Sequence, residues 1–172
     1  MTADRVVIRL RHDADLPALA ASLVRVHSVD GYPVEGVADP EAWLQHPHAL
    51  RSWTAEIAGK PIGQVTLTSA EPDDEAAQVW RRETGGALAD LVVPVRLFVD
   101  PDHRGAGAAQ LLMSAAMEYA RSLHRAVALD VMAKDRAAIR LYERLGARRL
   151  DTISHNHSDG LSEPAIVYDF PA

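Results

Sequence analysis

Residues 97–112 place an apolar strand, a turn, a glycine-containing loop and the start of a helix in direct succession, with the sequence LFVDPDHRGAGAAQLL. Glycine lets the backbone approach an anion closely and adopts positive φ without strain. The first N–H groups of a helix have no partner within the helix and carry partial positive charge. Arg104 adds a fixed charge and more donors. This order of elements predicts a binding site for phosphate groups.

Two common nucleotide-binding motifs do not fit this run. A Rossmann fingerprint needs a third small residue where Gln110 stands, and a P-loop needs a lysine after the glycines. The residues that do fit a motif are Arg104, Gly107 and Ala109, which read R-x-x-G-x-A. This resembles the signature [RQ]-x-x-G-x-[GA] of the GNAT superfamily of acyl-CoA-dependent N-acyltransferases. The resemblance implies that the acyl-CoA pyrophosphate is bound by Arg104, Gly105, Ala106, Gly107, Ala108 and Ala109.

Apolar periodicity and turn residues predict the order β-αα-βββ-α-β-α-ββ. Strands are predicted at residues 6–10, 53–58, 62–68, 91–99, 126–131, 148–154 and 165–170. Helices are predicted after an N-cap at Asp13 or Asp15, after Asp39, over residues 107–123, and from Asp135 to Leu145 with Gly146 ending the last one. Residues 69–90 form a long connection, functional or disordered, in which a short helix is plausible.

This order is similar to that of the GNAT superfamily over nearly the whole chain, so the expected fold is α/β (α+β) and GNAT-like. The expectation is one domain over residues 1–172, with a mixed, largely antiparallel sheet of about seven strands and about four flanking helices. The resemblance implies that the sheet splays where acyl-CoA lies. Pro94 lies inside the central strand. Because proline donates no ladder hydrogen bond, a bulge or splay is expected near it.

Composition narrows the class of partner. The net charge is −6 and the pI is about 5.7, which argues against a nucleic-acid partner and is compatible with a small cationic amine as substrate. There is no cysteine, so no thiolate nucleophile or thiolate metal site is available. No apolar run is long enough to span a bilayer, and the first residues lack a secretory signal. A cytoplasmic protein is therefore expected, and the resemblance adds a possible homodimer.

Acyl transfer to an amine needs a polarised thioester carbonyl, a neutral amine and a protonated leaving thiolate. The resemblance implies that Leu97, Phe98 and Val99 present backbone groups to the pantetheine arm, and that the N–H of Phe98 or Val99 polarises the carbonyl. It also implies that Tyr142 donates the proton to the thiolate, since a tyrosine pKa near 10 keeps that proton at neutral pH. The alternative is a tyrosine that packs on its helix for its area alone.

A second stretch also resembles the family. The pattern N-x-x-A-[IV]-x-L-Y reads D-R-A-A-I-R-L-Y over residues 135–142. Aspartate can accept a hydrogen bond from a pantetheine N–H or from the helix backbone, but it cannot donate one as asparagine does. The expected cofactor contacts in this stretch are Asp135, Ala138 and Tyr142.

The acceptor site is less constrained by sequence. Tyr32 lies in the loop between the first two helices, where it either lines the substrate pocket or covers the core edge. His155 and His157 are expected in a loop between the last two strands, as substrate contacts, as zinc ligands with Asp159, or simply solvated, of which solvation is favoured and a metal is not expected. The general base is left open among Asp90, Glu56, His27, His155, His157 and a water chain.

These observations lead to one expected activity and one alternative. The expected activity is transfer of an acetyl group from acetyl-CoA to the primary amine of a small molecule, by direct attack in a ternary complex and without a metal. The alternative is a non-catalytic acyl-CoA-binding sensor or regulatory domain, which would have the same phosphate site.

Overall fold

The computed structural model describes residues 4–156 and 160–172, and in them the seven expected strands form one mixed sheet. The strands are β1 (Val6–Leu10), β2 (Ala49–Ile57), β3 (Lys60–Ser69), β4 (Leu91–Val99), β5 (Ala126–Met132), β6 (Arg148–Asn156) and β7 (Ser162–Phe170). Their order across the sheet is β1-β2-β3-β4-β5-β7-β6. The predicted fold class is confirmed.

Five α-helices are present in the described residues, where about four were expected. They are α1 (Leu16–Asp30), α2 (Pro40–Leu44), α3 (Glu75–Thr84), α4 (Ala108–Ser122) and α5 (Arg136–Arg144). The additional helix, α3, is the short helix considered plausible between residues 69 and 90. It is ordered because Ala76, Ala77 and Trp80 bury its apolar face.

The chain divides into two compact units. The first comprises residues 1–68 and 94–116, and its strands β1, β2 and β3 form an antiparallel meander in which Leu10 pairs with Trp53 and Trp53 with Val65. Helix α1 buries Leu19 and Leu23 in a core shared with Leu44 of α2 and with Phe98. The alternation of buried residues along α1 follows its 3.6-residue period.

The second unit comprises residues 69–93 and 117–172. Strand β7 pairs antiparallel with both β5 and β6. The first residues of β4 pair parallel with β5, Leu91 with Ala126 and Val92 with Val127. Trp80 of α3 belongs to the same buried cluster as Ala128 of β5 and Val167 of β7, which is part of this unit's core.

The expected interruption of β4 is present. In the described chain its ladder with β5 ends at Val92, two residues before Pro94. Arg96 then has φ of 57°, a left-handed conformation that is uncommon for a residue with a side chain. The missing N–H of Pro94 and the turned backbone at Arg96 together explain why β4 does not continue the parallel ladder.

Asp15, one of the two expected N-cap residues, stands at the N-cap position of α1, but its side chain makes no capping hydrogen bond to that helix. The two expected residues form a 3-10 turn, Asp13–Asp15, before α1, and neither side chain caps that helix. The Asp15 carboxylate instead accepts from both terminal nitrogens of Arg9, each at 2.8 Å, and from the His12 N–H at 2.7 Å. The charge-assisted hydrogen bonds from Arg9 of β1 are stronger than the single capping hydrogen bond that the Asp15 side chain would otherwise form.

Asp100 anchors the end of β4 within the first unit. Its side chain is 1% exposed and accepts from the Ser22 hydroxyl at 2.8 Å and from Arg25, both on α1. Its other carboxylate oxygen caps the following turn by accepting from Asp102 N–H at 3.0 Å. Its own N–H donates to the carbonyl of Ile62 on β3 at 2.7 Å. Although burial opposes ionisation, these donors lower the pKa of Asp100 to about 2.

This pKa gives a prediction for acid stability. Because the folded pKa lies below the ordinary value of 3.8, ionised Asp100 stabilises the fold fully above about pH 4, and this contribution disappears as the pH falls toward 2. We expect Asp100→Asn to lower the free energy of unfolding at pH 7 by about 2 kcal/mol, and the gap to wild type to close in acid. Urea denaturation at several pH values measures both. Asp102→Asn, a variant of an exposed neighbouring residue, is the control and should have the same free energy of unfolding as wild type at each pH. A difference between Asp100→Asn and wild type that stays constant with pH would contradict the prediction.

Candidate active site

The two edges of β4 differ between Arg96 and Asp100. Gln64 of β3 donates through its side-chain amide to the Arg96 carbonyl at 2.6 Å, and Asp100 donates to the Ile62 carbonyl. Backbone polar groups alternate between the two edges of an extended strand. Residues 96, 98 and 100 therefore face β3, whereas the N–H groups of Leu97 and Val99 face the other edge. The described chain forms no ladder pair with β5 along that stretch.

Gly63 allows this close approach of β3 and β4. A Cβ at this position would lie 2.6 Å from the Phe98 carbonyl oxygen and 3.2 Å from the Val99 Cα atom. Both are backbone atoms, so no side-chain rearrangement relieves the clash. Glycine at position 63 therefore lets β3 lie against one edge of residues 97–99, the expected pantetheine segment, and the opposite edge stays without a ladder partner in the described chain. Local sequence patterns do not single out Gly63, because only the fold brings it next to β4.

The expected phosphate loop begins directly after this segment. Asp100 caps the 3-10 turn Pro101–His103, and Gly105 and Gly107 then both have φ of 83°. A Cβ on either glycine would meet nothing within 4 Å, so the backbone conformation rather than space requires glycine. Helix α4 begins at Ala108. The loop thus delivers the unpaired N–H groups of a helix start, the arrangement that binds anions.

Arg104 has a protein partner in this loop. Its two terminal nitrogens lie 2.6 and 3.3 Å from the two carboxylate oxygens of Asp30, the last residue of α1. Both side chains are about 40% exposed (42% and 40%), so this ion pair contributes little to stability. Arg104 is thus oriented by an exposed carboxylate that a phosphate group can replace.

The second family-like stretch lies in the second unit and begins α5. The Asp135 carboxylate accepts from the Ala138 N–H at 3.0 Å, so it acts as the N-cap of this helix. This confirms the predicted cap. The capping bond also occupies one of the Asp135 lone pairs that were expected to accept from pantetheine.

Tyr142 lies on α5 and is 9% exposed. Its ring packs on that of Tyr168 of β7, with centroids 6.5 Å apart, and Tyr168 donates to Glu143 at 2.9 Å. Within residues 4–156 and 160–172, no hydrogen bond is formed by the Tyr142 hydroxyl. Burial raises the pKa of Tyr142 above its ordinary value, and the charges of Asp135 and Asp130 raise it further. The phenol therefore keeps its proton throughout the neutral range.

Tyr32 belongs to an aromatic cluster of the first unit. Its ring meets Trp43 edge-on at 5.7 Å, and Trp43 lies 6.4 Å from Phe98. The Arg96 guanidinium lies over the Trp43 ring, 4.8 Å from its centroid. Tyr32 is half-buried, so it both covers the core edge and leaves part of its ring accessible.

His155 lies in β6 rather than in the loop where it was expected. Its ring bridges two carboxylates of the second unit: Nδ1 is 2.9 Å from Glu75 and Nε2 is 2.5 Å from Asp130. Because the two carboxylates contact opposite ring nitrogens, they do not converge on one point. His157 and Asp159 lie outside the described residues.

The other base candidates differ in their surroundings. Glu56 accepts from Arg9 Nε at 2.8 Å, and His27 Nδ1 lies 3.1 Å from the Pro33 carbonyl. Asp90 is exposed in the 3-10 turn before β4. None of these contacts singles out one base.

Two structural features bear on partner class. In the described ranges, no three or more His, Cys, Asp or Glu side chains are grouped so that they could hold a metal ion. Across the same residues, every helix is too short or too polar to traverse a bilayer.

Comparison with known proteins identifies the family. Residues 18–147, most of the chain, match the model of the acetyltransferase (GNAT) family. The N-acetylaspartate synthetase of Danio rerio is 32% identical over 115 residues, which are 66% of this chain and 35% of the relative. The chain spans less than half the length of the curated relatives that it matches. The chain thus belongs to the GNAT family of acyltransferases.

Solved structures show the same fold. The ribosomal-protein-alanine N-acetyltransferase of Brucella melitensis superposes with a TM-score of 0.75 at 19% identity, over 96% of this chain and 99% of that one. Arabidopsis thaliana NAA60, solved in complex with acetyl-CoA, superposes with a TM-score of 0.70 at 21% identity, over 96% and 97% of the two chains. At these identities the similarity concerns the fold alone.

The contacts of Arg104 lead to a prediction about cofactor binding. Arg104→Ala removes a bidentate donor from the phosphate loop, so we expect affinity for acetyl-CoA to fall by about 1–3 kcal/mol, measured by calorimetry. Asp30→Ala is the matched control, because it removes the ion pair and leaves the donors in place. We expect the control to bind at least as tightly as wild type. Equal affinity in Arg104→Ala would show that this side chain does not contact the cofactor.

Proposed function

We propose that this chain is an N-acetyltransferase that transfers the acetyl group of acetyl-CoA to the primary amine of a small molecule. The observation that carries the proposal is the continuous path from the unpaired edge of β4 into the positive-φ loop at the start of α4. The edge offers backbone groups to an amide-containing arm, and the loop offers N–H groups to a pyrophosphate. Family membership and the acetyl-CoA complex of a protein with the same fold support this assignment.

The N–H of Val99 is the donor that we assign to the thioester carbonyl. The sequence left Phe98 and Val99 as alternatives, and the alternation along β4 turns Phe98 toward β3. A fixed N–H donor in a site from which water is excluded stabilises the oxyanion that forms when the amine attacks. Because this donor belongs to the backbone, no side-chain substitution removes it directly.

Tyr142 is the group that we assign to the leaving thiolate. In the reaction, the amine nitrogen bonds to the acetyl carbon, the carbon–sulfur bond breaks, and the electron pair leaves on sulfur. The phenol proton then passes to sulfur, while the amine proton leaves through a base or water. Burial supports this role, because it holds the phenol in its protonated form until the thiolate arrives.

The acceptor in this proposal is a small molecule. The name of one relative specifies acetylation of a free amino acid, aspartate, whereas the name of one structural neighbour specifies alanine of a ribosomal protein. The first supports the proposal and is the more similar in sequence. A homodimer is part of the proposal by analogy with the family.

Tyr142→Phe tests the catalytic assignment. We expect turnover to fall 10-fold or more while acetyl-CoA affinity stays nearly constant, because only the transferred proton is lost. Thiol release read with a chromogenic reagent measures turnover, and the chain has no cysteine to give a background. Tyr168→Phe removes a hydroxyl from the ring packed on Tyr142 and should keep most of its turnover.

The outcomes separate the candidate functions. Unchanged turnover in Tyr142→Phe would remove this residue as the acid. Tight acetyl-CoA binding without turnover on polyamines, aminoglycosides, amino acids or peptides would favour a sensor domain instead.

A further inference from the structure

Two arginines of the first unit, Arg11 and Arg96, are half-buried without a counter-ion. In the described residues neither guanidinium forms a salt bridge, although the chain carries an excess of acidic side chains. Five other arginines pair directly with aspartate in the described residues: Arg9, Arg25, Arg82, Arg104 and Arg148. A charge removed from water without a partner is costly, so unpaired arginines at such depth call for a functional explanation.

The two guanidinium groups bind neighbouring carbonyls and lie within electrostatic reach of each other. Arg11 Nη1 donates to the Leu44 carbonyl at 2.8 Å, and Arg96 Nη1 donates to the preceding carbonyl, that of Trp43. The side-chain amide of Gln64 also connects the two arginines. Its oxygen accepts from Arg11 at 2.7 Å, and its nitrogen donates to the backbone carbonyl of Arg96. Burial lowers the pKa of both groups, and the charge of Arg96 lowers that of Arg11 further.

Capping accounts for only part of this arrangement. Leu44 ends α2, so the two carbonyls are C-terminal helix carbonyls that need donors. One nitrogen of each guanidinium serves them, yet each guanidinium has five N–H groups. The acidic residues in electrostatic reach do not take the remainder: Asp15 is bound to Arg9, and Glu35 accepts from the Trp43 indole N–H at 2.5 Å. Asp13 is exposed and forms no salt bridge with any residue that the structure describes.

The aromatic cluster of Tyr32, Trp43 and Phe98 orients the guanidinium group of Arg96. The Arg96 guanidinium lies over the Trp43 ring, and Tyr32 and Trp43 pack in an edge-to-face arrangement. A guanidinium stacked on an indole keeps its plane fixed, so less rotational freedom is lost when it binds a planar anion. Trp43 also contacts Phe98, which lies in the β4 segment assigned to the acetyl group. Arg96, which carries open donors, therefore lies on β4 directly before that segment.

We propose that Arg11 and Arg96 bind the carboxylate of the acetyl acceptor, so that the acceptor is an amine that also carries a carboxylate, such as a free amino acid. The inference rests on the function proposed above. A planar carboxylate accepts from a guanidinium fork through both oxygens and supplies the missing counter-charge. The same two charges repel a polyamine, and a peptide N-terminus has no carboxylate next to its amine.

Matched acceptors test the charge requirement. L-aspartate, L-leucine, L-methionine and L-phenylalanine are compared with their amides, in which every carboxylate is replaced, and with an alanine-initiated peptide amide, using thiol release from acetyl-CoA. We expect kcat/KM for at least one free acid to exceed that for its amide by 10-fold or more. The amide amine has the lower pKa and is the more available nucleophile at neutral pH. A preference for the acid therefore cannot come from amine reactivity.

Variants test which residues carry the preference. Arg96→Gln and Arg11→Gln should raise KM for the preferred acid by about 10-fold or more, leaving KM for acetyl-CoA and for the amide nearly constant. Arg96→Lys keeps the charge and should retain part of the preference. Arg5→Gln is the control, since it makes the same change at an exposed arginine of the same unit.

The outcomes distinguish this inference from the proposed function. Turnover of amides or the peptide at least as good as that of the acids overturns the carboxylate site and leaves the acetyltransferase standing. An acid preference that survives in both Gln variants overturns the assignment to these arginines. Acetyl-CoA binding without turnover of any amine overturns both proposals, and a failure to bind acetyl-CoA overturns the proposed function first.

Discussion

The conformation of the phosphate loop depends on the hydrogen bonds of one buried carboxylate, that of Asp100. It ends β4, caps the turn that follows, and draws both toward α1 through Ser22 and Arg25. A loop that binds an anion through backbone N–H groups works only if those groups are held before the anion arrives. Asp100 provides this order with a charge that the surrounding donors keep ionised far into acid.

The interruption of β4 gives the strand two different edges. Before Pro94 it belongs to a parallel ladder, and from Arg96 onward one edge is held by β3 while the other has no ladder partner in the described chain. An unpaired strand edge normally attracts another chain. Here the same property suits an extended ligand with amide groups, because the ligand can bind as a short additional strand. Gly63 contributes by letting β3 lie close without a side chain between the strands.

Arginines supply most of the basic charge of this chain, and two groups of them differ in their partners. One group pairs with aspartate, as Arg25 does with Asp100 and Arg104 with Asp30. In the other group, Arg11 and Arg96 use one nitrogen each on helix carbonyls, and Arg11 also donates to Gln64, but neither forms a salt bridge in the described residues. The two groups differ in whether a counter-ion is present. Because Arg11 and Arg96 lack one within the described chain, the expected acceptor is an amine that also carries a carboxylate.

The sequence by itself determined the order of elements, the glycine loop, the N-cap at Asp135 and the break near Pro94, because each depends on residues that are neighbours in the chain. It placed His155 in a loop and gave the side chain of Asp15, which does stand at the N-cap of α1, a capping role, because strand pairing and the ion pair with Arg9 involve distant residues. Only the tertiary structure decided which edge of β4 is open and which charges lack partners. Both follow from contacts between segments far apart in sequence, and local patterns do not encode such contacts.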